Sequence, residues 1–210
     1  MNEIYQTDLS LLFDDGNFAD LWQGLAGRNA AEICQKSLVE RSEGAGYLIE
    51  LAGARYLLDV PSKTVTAPPN RPRPDKRLAL SLLYYLNGAK ETGLSGRLVP
   101  ETVLPGGDRF FAGGHALKRQ PVLDVFGANG SALLEKAAAL GGNAVTTQAG
   151  SFSFTLFLLP KIFVQVTLCE ADEEFPASLY FAFDSSASDH VSLGVISSLV
   201  GLMNDFLIQP

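Results

Sequence analysis

The stretch SFSFTLFLLPKIFVQVTL, residues 151–168, decides the fold class of this chain. Apolar residues alternate with other residues on both sides of Pro160-Lys161, and this period of two is typical of half-buried antiparallel strands. The two runs flank a short turn, so they predict a β-hairpin. Leu179 to Phe183 predicts a third strand. The residues that share the apolar face of the hairpin are Phe152, Phe154, Leu156, Leu158, Ile162, Val164, Val166 and Leu168.

Earlier segments of the chain predict a second hairpin and several helices. Residues 47–51 and 55–60 read as strands around Ala52-Gly53, where Gly53 supplies the positive φ of a tight turn. Helices are predicted over residues 17–25, 29–39, 75–89, 131–140 and 193–207. In the second of them Ile33, Cys34 and Leu38 share a face. We therefore predict an α+β fold, in which a mainly antiparallel sheet takes both hairpins and has helices packed on one face.

The length of 210 residues suits one domain, which we predict over residues 1–210. The proline-rich segment 61–74 is a possible internal boundary, because proline removes backbone donors and disfavours helix in the residue before it. A basic cluster in and beside this segment is either an anion site or, on our preferred interpretation, a solvated linker. It consists of Arg71, Arg73, Lys76 and Arg77.

Composition excludes several classes of function. A net charge of −7 argues against nucleic acid as a partner, since phosphate binding needs a dense basic face. Met1 to Leu12 lacks the features of a signal peptide, and no apolar run reaches 18 residues, so we expect no membrane span and a cytoplasmic location. Two isolated cysteines, Cys34 and Cys169, are too few for a cysteine-ligated zinc site or iron–sulfur cluster.

The sequence offers one candidate for a metal site. The acidic run that contains Asp172 and Glu174 follows a strand, and Asp184 ends the next strand. If antiparallel pairing brings Asp184 near the run, these carboxylates are suitable ligands for Mg²⁺ or Ca²⁺. The alternative is a solvated acidic turn. His115 follows Gly113-Gly114 and is a further candidate, with a structural hydrogen-bonded histidine as its alternative.

A series of short motifs runs in order along most of the chain. They are Leu80-Ser-Leu-Leu-Tyr-Tyr-Leu86, Leu94-Ser-Gly96, Leu104-Pro-Gly-Gly107, Pro121 with Phe126-Gly127, Leu140-Gly-Gly142, Asp172-Glu-Glu-Phe-Pro176 and Phe183-Asp184, and the hairpin from Gly46 to Val60 fits with them. In these motifs the chain resembles an uncharacterised family of prokaryotic domains found largely in anaerobes. The resemblance implies that some relatives carry an iron–sulfur cysteine motif or lie beside corrinoid and methyl-transfer proteins, and this chain differs from them because it has no cysteine cluster.

Three functions follow as hypotheses, and no motif decides whether the protein is an enzyme or which cofactor it uses. The first is a non-catalytic binding or accessory module with a protein partner, which the resemblance places in a metallocofactor or methyl-transfer system. The second is a divalent-metal enzyme that uses Asp172, Glu174 and Asp184. The third is a self-associating structural domain, because both faces of the strands within residues 152–168 have apolar character.

Overall fold

The two hairpins predicted from the sequence lie in different sheets. The computed structural model describes residues 6–8 and 16–209. The strands are β1 (Gln6–Asp8), β2 (Glu40–Arg41), β3 (Gly46–Leu51), β4 (Ala54–Asp59), β5 (Thr64–Thr66), β6 (Leu98–Pro100), β7 (Asn143–Val145), β8 (Ser151–Leu159), β9 (Ile162–Cys169) and β10 (Ser178–Asp184). The helices are α1 (Gly16–Ala26), α2 (Ala30–Ser37), α3 (Lys76–Gly88), α4 (Gly107–Phe110), α5 (Gln120–Phe126), α6 (Gly130–Ala139), α7 (Ala187–His190) and α8 (Leu193–Ile208).

Both sheets are antiparallel throughout. The first has the order β1-β5-β4-β3-β2 and the second the order β6-β10-β9-β8-β7. The α+β class is therefore confirmed. The single shared sheet is wrong, because the β3–β4 hairpin pairs with β2 and β5, whereas β9 pairs with β8 and β10.

The second sheet has one face against helices and one that is largely polar. Phe154, Val164 and Phe183 point into the core, and α6 and α8 contact β8. Side chains alternate between the two faces of a strand, so the intervening residues form the other face. They are mostly hydroxyl and amide residues, and an aromatic pair, Phe157 and Phe163, lies at one end with its ring centroids 4.8 Å apart.

The turn at Ala52-Gly53 joins the first sheet to the second. The Ala52 amide donates a hydrogen bond to the Leu158 carbonyl oxygen at 3.2 Å. Gly53 has a φ of 71°, as predicted, and its Cα faces the Leu140 carbonyl at the end of α6. Buried apolar side chains from both sheets belong to one continuous hydrophobic cluster. The single domain over residues 1–210 stays a prediction.

The proline-rich segment packs against both halves of the protein. Arg71 donates to the Ala52 carbonyl oxygen, and its guanidinium lies 4.8 Å from the centroid of the Phe206 ring. Arg77 pairs with Asp205 on α8. The interpretation of this basic cluster as part of a solvated linker is therefore wrong for Arg71 and Arg77. Arg71 is held by the turn at Ala52 and by Phe206, and Arg77 is held by Asp205.

Two helix ends differ from the prediction. The second helix ends at Ser37, and Leu38 adopts a left-handed conformation with φ 55°, so it leaves the buried face on which periodicity placed it. The helix predicted over residues 131–140 begins one residue earlier, at Gly130, and its cap is Asn129, whose side chain accepts from the Ala132 amide at 3.1 Å. Most of Met1 to Leu12 lies outside the described residues. Within residues 6–8 and 16–209, no helix is both long and apolar enough to cross a membrane.

Candidate functional site

The structure does not bring the predicted metal ligands together. Asp172 and Glu174 lie in the loop that precedes β10, and Asp184 is the last residue of β10. Seven residues of extended strand span roughly 20 Å, which separates Asp184 from the acidic run. In the part of the chain that the structure describes, no group of three or more His, Cys, Asp or Glu side chains is placed to hold a metal ion.

Asp184 is instead a buried anchor for a distant loop. Its Oδ1 accepts hydrogen bonds from the amides and hydroxyls of Ser95 and Ser186, and its Oδ2 accepts one from the Gly96 amide at 2.8 Å. Burial alone would raise the pKa of Asp184, but the hydrogen bonds from Ser186 and Ser95 outweigh it and hold the pKa at about 2. The carboxylate therefore ties the segment before β6 to the end of β10.

Asp172 also accepts backbone hydrogen bonds, but from residues in its own loop. Its carboxylate accepts from the amides of Glu174 and Phe175 at 2.9 and 2.7 Å, and its own amide donates to the Phe175 carbonyl oxygen. The hydrogen bonds from Phe175 and Glu174 lower the pKa of Asp172. Such a turn shapes the loop without any ion. The metal site stays a prediction that this geometry does not support.

The two histidines have different environments. His115 is exposed on a single 3-10 turn, Gly113–His115, and its ring stacks on Phe110 at a centroid distance of 4.9 Å. His190 is fully buried, and its Nδ1 accepts from the Lys90 amide at 3.3 Å. Burial lowers the pKa of His190, and the positive charge of Lys161 lowers it further. His190 is therefore a neutral structural residue.

Sequence reasoning missed Lys161, which holds the same loop as His190 and Asp184. Lys161 lies in the turn between β8 and β9 but is only 3% exposed. Its Nζ donates to the carbonyl oxygens of Lys90 and Thr92 at 2.5 and 3.1 Å. Burial lowers the pKa of Lys161. No signal in the sequence marks this lysine, because a lysine in a hairpin turn is ordinarily solvated.

A groove lies where the first sheet meets β8. It encloses about 240 Å³. Leu38 is 61% exposed and Phe157 is 44% exposed, and both line it. Its rim carries the ion pair between Arg55 and Glu40, whose nearest N–O distance is 3.0 Å. The remaining lining residues are Val39, Leu48, Glu50, Leu159 and Pro160.

Comparison with known proteins identifies a family without assigning a function. No curated protein and no solved structure matches this chain. A family model described as a domain of unknown function, DUF3786, matches residues 29–204. This range includes the groove and the loop that Asp184 anchors. Since the match covers most of the 210 residues, the chain belongs to the DUF3786 family.

Proposed function

We propose that this protein is a non-catalytic binding module that takes an apolar anchor residue of a partner protein into the groove between its two sheets. The observation that carries the proposal is Leu38, an exposed leucine held in a left-handed conformation at the wall of the groove. The resemblance noted above favours a partner from a metallocofactor or methyl-transfer system.

The conformation of Leu38 argues against a purely structural role. Left-handed backbone costs a non-glycine residue about 1–2 kcal/mol, and Gly or Asn usually ends a helix at such a position. Leu38 closes α2 through a hydrogen bond from its amide to the Cys34 carbonyl oxygen, and this bond needs no side chain. The leucine side chain therefore adds backbone strain and exposed apolar surface, and both are explained if a partner covers it.

The size of the groove suits one side chain. A volume of about 240 Å³ lies below the range of roughly 300–1,000 Å³ that holds whole drug-sized ligands. Leu38, Phe157 and Pro160 supply apolar walls of the kind that surround anchor residues at protein interfaces. We therefore infer that the occupant is a leucine or an aromatic side chain.

Charges at the rim indicate which residues flank this anchor. Arg55 is neutralised by Glu40, to which it donates two hydrogen bonds. Glu50 forms no ion pair with the described residues, and the whole chain carries a net charge of −7. A partner segment with lysine or arginine beside its anchor is therefore favoured in both encounter and docking.

A peptide titration tests the proposal. Nine-residue synthetic peptides carry a central Leu, Phe or Ser, flanked by either two lysines or two glutamates. The NMR resonances of Leu38, Leu48 and Phe157 are expected to shift in a saturable way with lysine-flanked Leu or Phe peptides. Serine-centred peptides are expected to leave them unchanged. Equal responses to every peptide, or shifts outside the groove alone, would contradict the proposal.

The Leu38→Asn variant is expected to weaken peptide binding while leaving the stability of the fold almost unchanged. Asn accepts a left-handed backbone readily, so relief of strain offsets the apolar contacts that are lost. We expect the free energy of unfolding in urea to change by less than about 1 kcal/mol, and peptide binding to weaken by about tenfold or more.

A matched control replaces Val103, another exposed apolar residue, which does not line the groove. Val103→Ser is expected to bind the peptides like the wild type. Sedimentation of both variants and the wild type tests the alternative of a self-associating domain. If the wild type forms a concentration-dependent dimer and Leu38→Asn abolishes it, the groove binds a second copy of this chain and not a different protein.

A further inference from the structure

A second cavity lies on the outer side of the second sheet, where β6 ends and leaves part of β10 without a neighbouring strand. It encloses about 280 Å³, and six of its nine lining residues carry a polar group in the side chain. Strands β9 and β10 and the 3-10 turn Glu101–Val103 supply its walls. The polar and aromatic residues that line it are Glu101, Thr102, Arg119, Gln165, Thr167 and Tyr180.

Arg119 is held in place by the protein at this cavity, and some of its N–H groups remain without an acceptor among the residues that the structure describes. Its Nε donates to the Leu179 carbonyl oxygen at 2.8 Å, one terminal nitrogen donates to Leu117 at 3.1 Å, and the other pairs with Glu101. The guanidinium also lies 5.3 Å from the centroid of the Phe181 ring. A guanidinium has five N–H groups, so two remain that no described residue uses. These donors are already oriented, which reduces the entropy lost on binding a ligand.

Other polar groups around the cavity are also unused by the protein. Glu101 is buried, and only its Oε1 accepts a hydrogen bond from a described residue. The side-chain amide of Gln165 and the hydroxyl of Thr102 make no hydrogen bond to the described residues, although both residues line the cavity. The cavity is thus lined by donors on Arg119 and Gln165 and by acceptors on Glu101, Gln165 and Thr102.

Tyr180 adds an aromatic surface beside these groups. It is 57% exposed and projects from β10 on the polar face of the sheet. An exposed ring of this kind offers an apolar face and a polar tip to a ligand that has the same mixed character. A sugar ring has C–H groups on its faces and hydroxyl groups around its edge.

The charge balance of the cavity selects against anions. Glu101 neutralises Arg119, and the remaining lining residues are uncharged at neutral pH. A phosphate or carboxylate would approach the Glu101 carboxylate and meet repulsion, whereas a hydroxyl pair can donate to Glu101 and accept from Arg119.

We propose that this cavity binds a neutral sugar, with the ring on Tyr180 and adjacent hydroxyl groups bonded to Glu101, Arg119 and Gln165. This site is separate from the groove, and it does not depend on the proposed function. The volume accommodates a single ring, so we expect the cavity to bind one sugar unit, either free or as part of a longer chain.

Titration of the full chain with small sugars tests the proposal. The probes are glucose, galactose, mannose, N-acetylglucosamine and ribose, with glucuronate and inorganic phosphate as anionic comparisons. At least one neutral sugar is expected to shift the NMR resonances of Tyr180, Gln165 and Thr167 saturably, with a dissociation constant of about 10 mM or tighter. If none of the neutral sugars does so, or if an anion binds more tightly than all of them, the proposal is overturned.

Two variants and a control connect the binding to these residues. Tyr180→Ala and Gln165→Ala are expected to weaken the binding by about tenfold or more, and neither side chain is buried, so the fold is expected to persist. Tyr84 is an exposed tyrosine on α3 that does not line the cavity, and Tyr84→Ala is expected to bind like the wild type. Unchanged binding in Tyr180→Ala, or equal weakening in Tyr84→Ala, would place the sugar elsewhere.

Discussion

Replacing Asp184 with Asn is expected to lower the free energy of unfolding by about 3 kcal/mol. The Asp184 carboxylate is buried and accepts five hydrogen bonds, four at Oδ1 and one at Oδ2. An asparagine oxygen can replace Oδ1, but its NH₂ group would then meet the Gly96 amide, donor against donor. The substitution also removes the charge that strengthens all five bonds.

The pH dependence of this loss identifies the carboxylate as its source. The pKa of Asp184 is about 2 in the folded protein and about 3.9 in an unfolded chain. The stabilisation is therefore complete above about pH 4 and disappears as the pH falls toward 2. Urea unfolding from pH 2 to pH 7 should show the wild type and Asp184→Asn converging at the acidic end. A constant difference over the whole range would contradict this account.

A control and a local measurement sharpen the test. Asp20 is an exposed aspartate on α1, and Asp20→Asn is expected to unfold like the wild type at every pH. The charge of Asp184 opposes the lowering of the His190 pKa, so part of the difference between the wild type and Asp184→Asn below about pH 6.5 comes from His190. The change in that difference between about pH 4 and pH 2 is the part that belongs to the Asp184 carboxylate. Hydrogen exchange of the Ser95 and Gly96 amides is expected to accelerate in Asp184→Asn alone.

Sequence reasoning singled out Asp184 as a candidate metal ligand, and in the structure it accepts hydrogen bonds from the loop before β6. A carboxylate at a strand end beside an acidic run is a reasonable metal ligand from local spacing. Its partners, Ser95 and Gly96, are almost ninety positions away, and no periodicity links them. The resemblance had already set Leu94-Ser-Gly96 and Phe183-Asp184 apart as separate motifs, and the structure joins them through this one side chain.

Local patterns predicted local structure, and long-range contacts decided the rest. Period-two alternation predicts strands at 152–159 and 162–168, and each matches the observed strand to within one residue. Asp75, at the start of the helix predicted over residues 75–89, caps α3. Leu38 shows the limit of such patterns. Helical periodicity placed it with Ile33 on a buried face, but the helix ends one residue earlier, and the groove that Leu38 lines requires β8 from the other sheet.

Gly53→Ala is expected to be the second strongly destabilising change, by about 3 kcal/mol or more. Gly53 has a φ of 71°, so any side chain there is strained. In addition, an alanine Cβ would lie 2.7 Å from the Leu140 carbonyl carbon and nearer still to its oxygen. The backbone at the end of α6 would have to move, and the adjacent hydrogen bond from Ala52 to Leu158 would be disturbed. The expected loss therefore includes contact between the two sheets as well as local strain.

Gly44→Ala separates these two contributions. Gly44 has a φ of 84°, but nothing lies within 4 Å of the place where its Cβ would be. This variant is expected to lose only the conformational cost of about 1 kcal/mol. The excess loss in Gly53→Ala then measures the contact between the turn at Ala52-Gly53 and α6. If the two variants unfold at the same urea concentration, that contact contributes nothing, and the sheets are held together elsewhere. If Gly53→Ala unfolds in two steps, each sheet with its helices is a separate cooperative unit, and the single domain predicted over residues 1–210 is wrong.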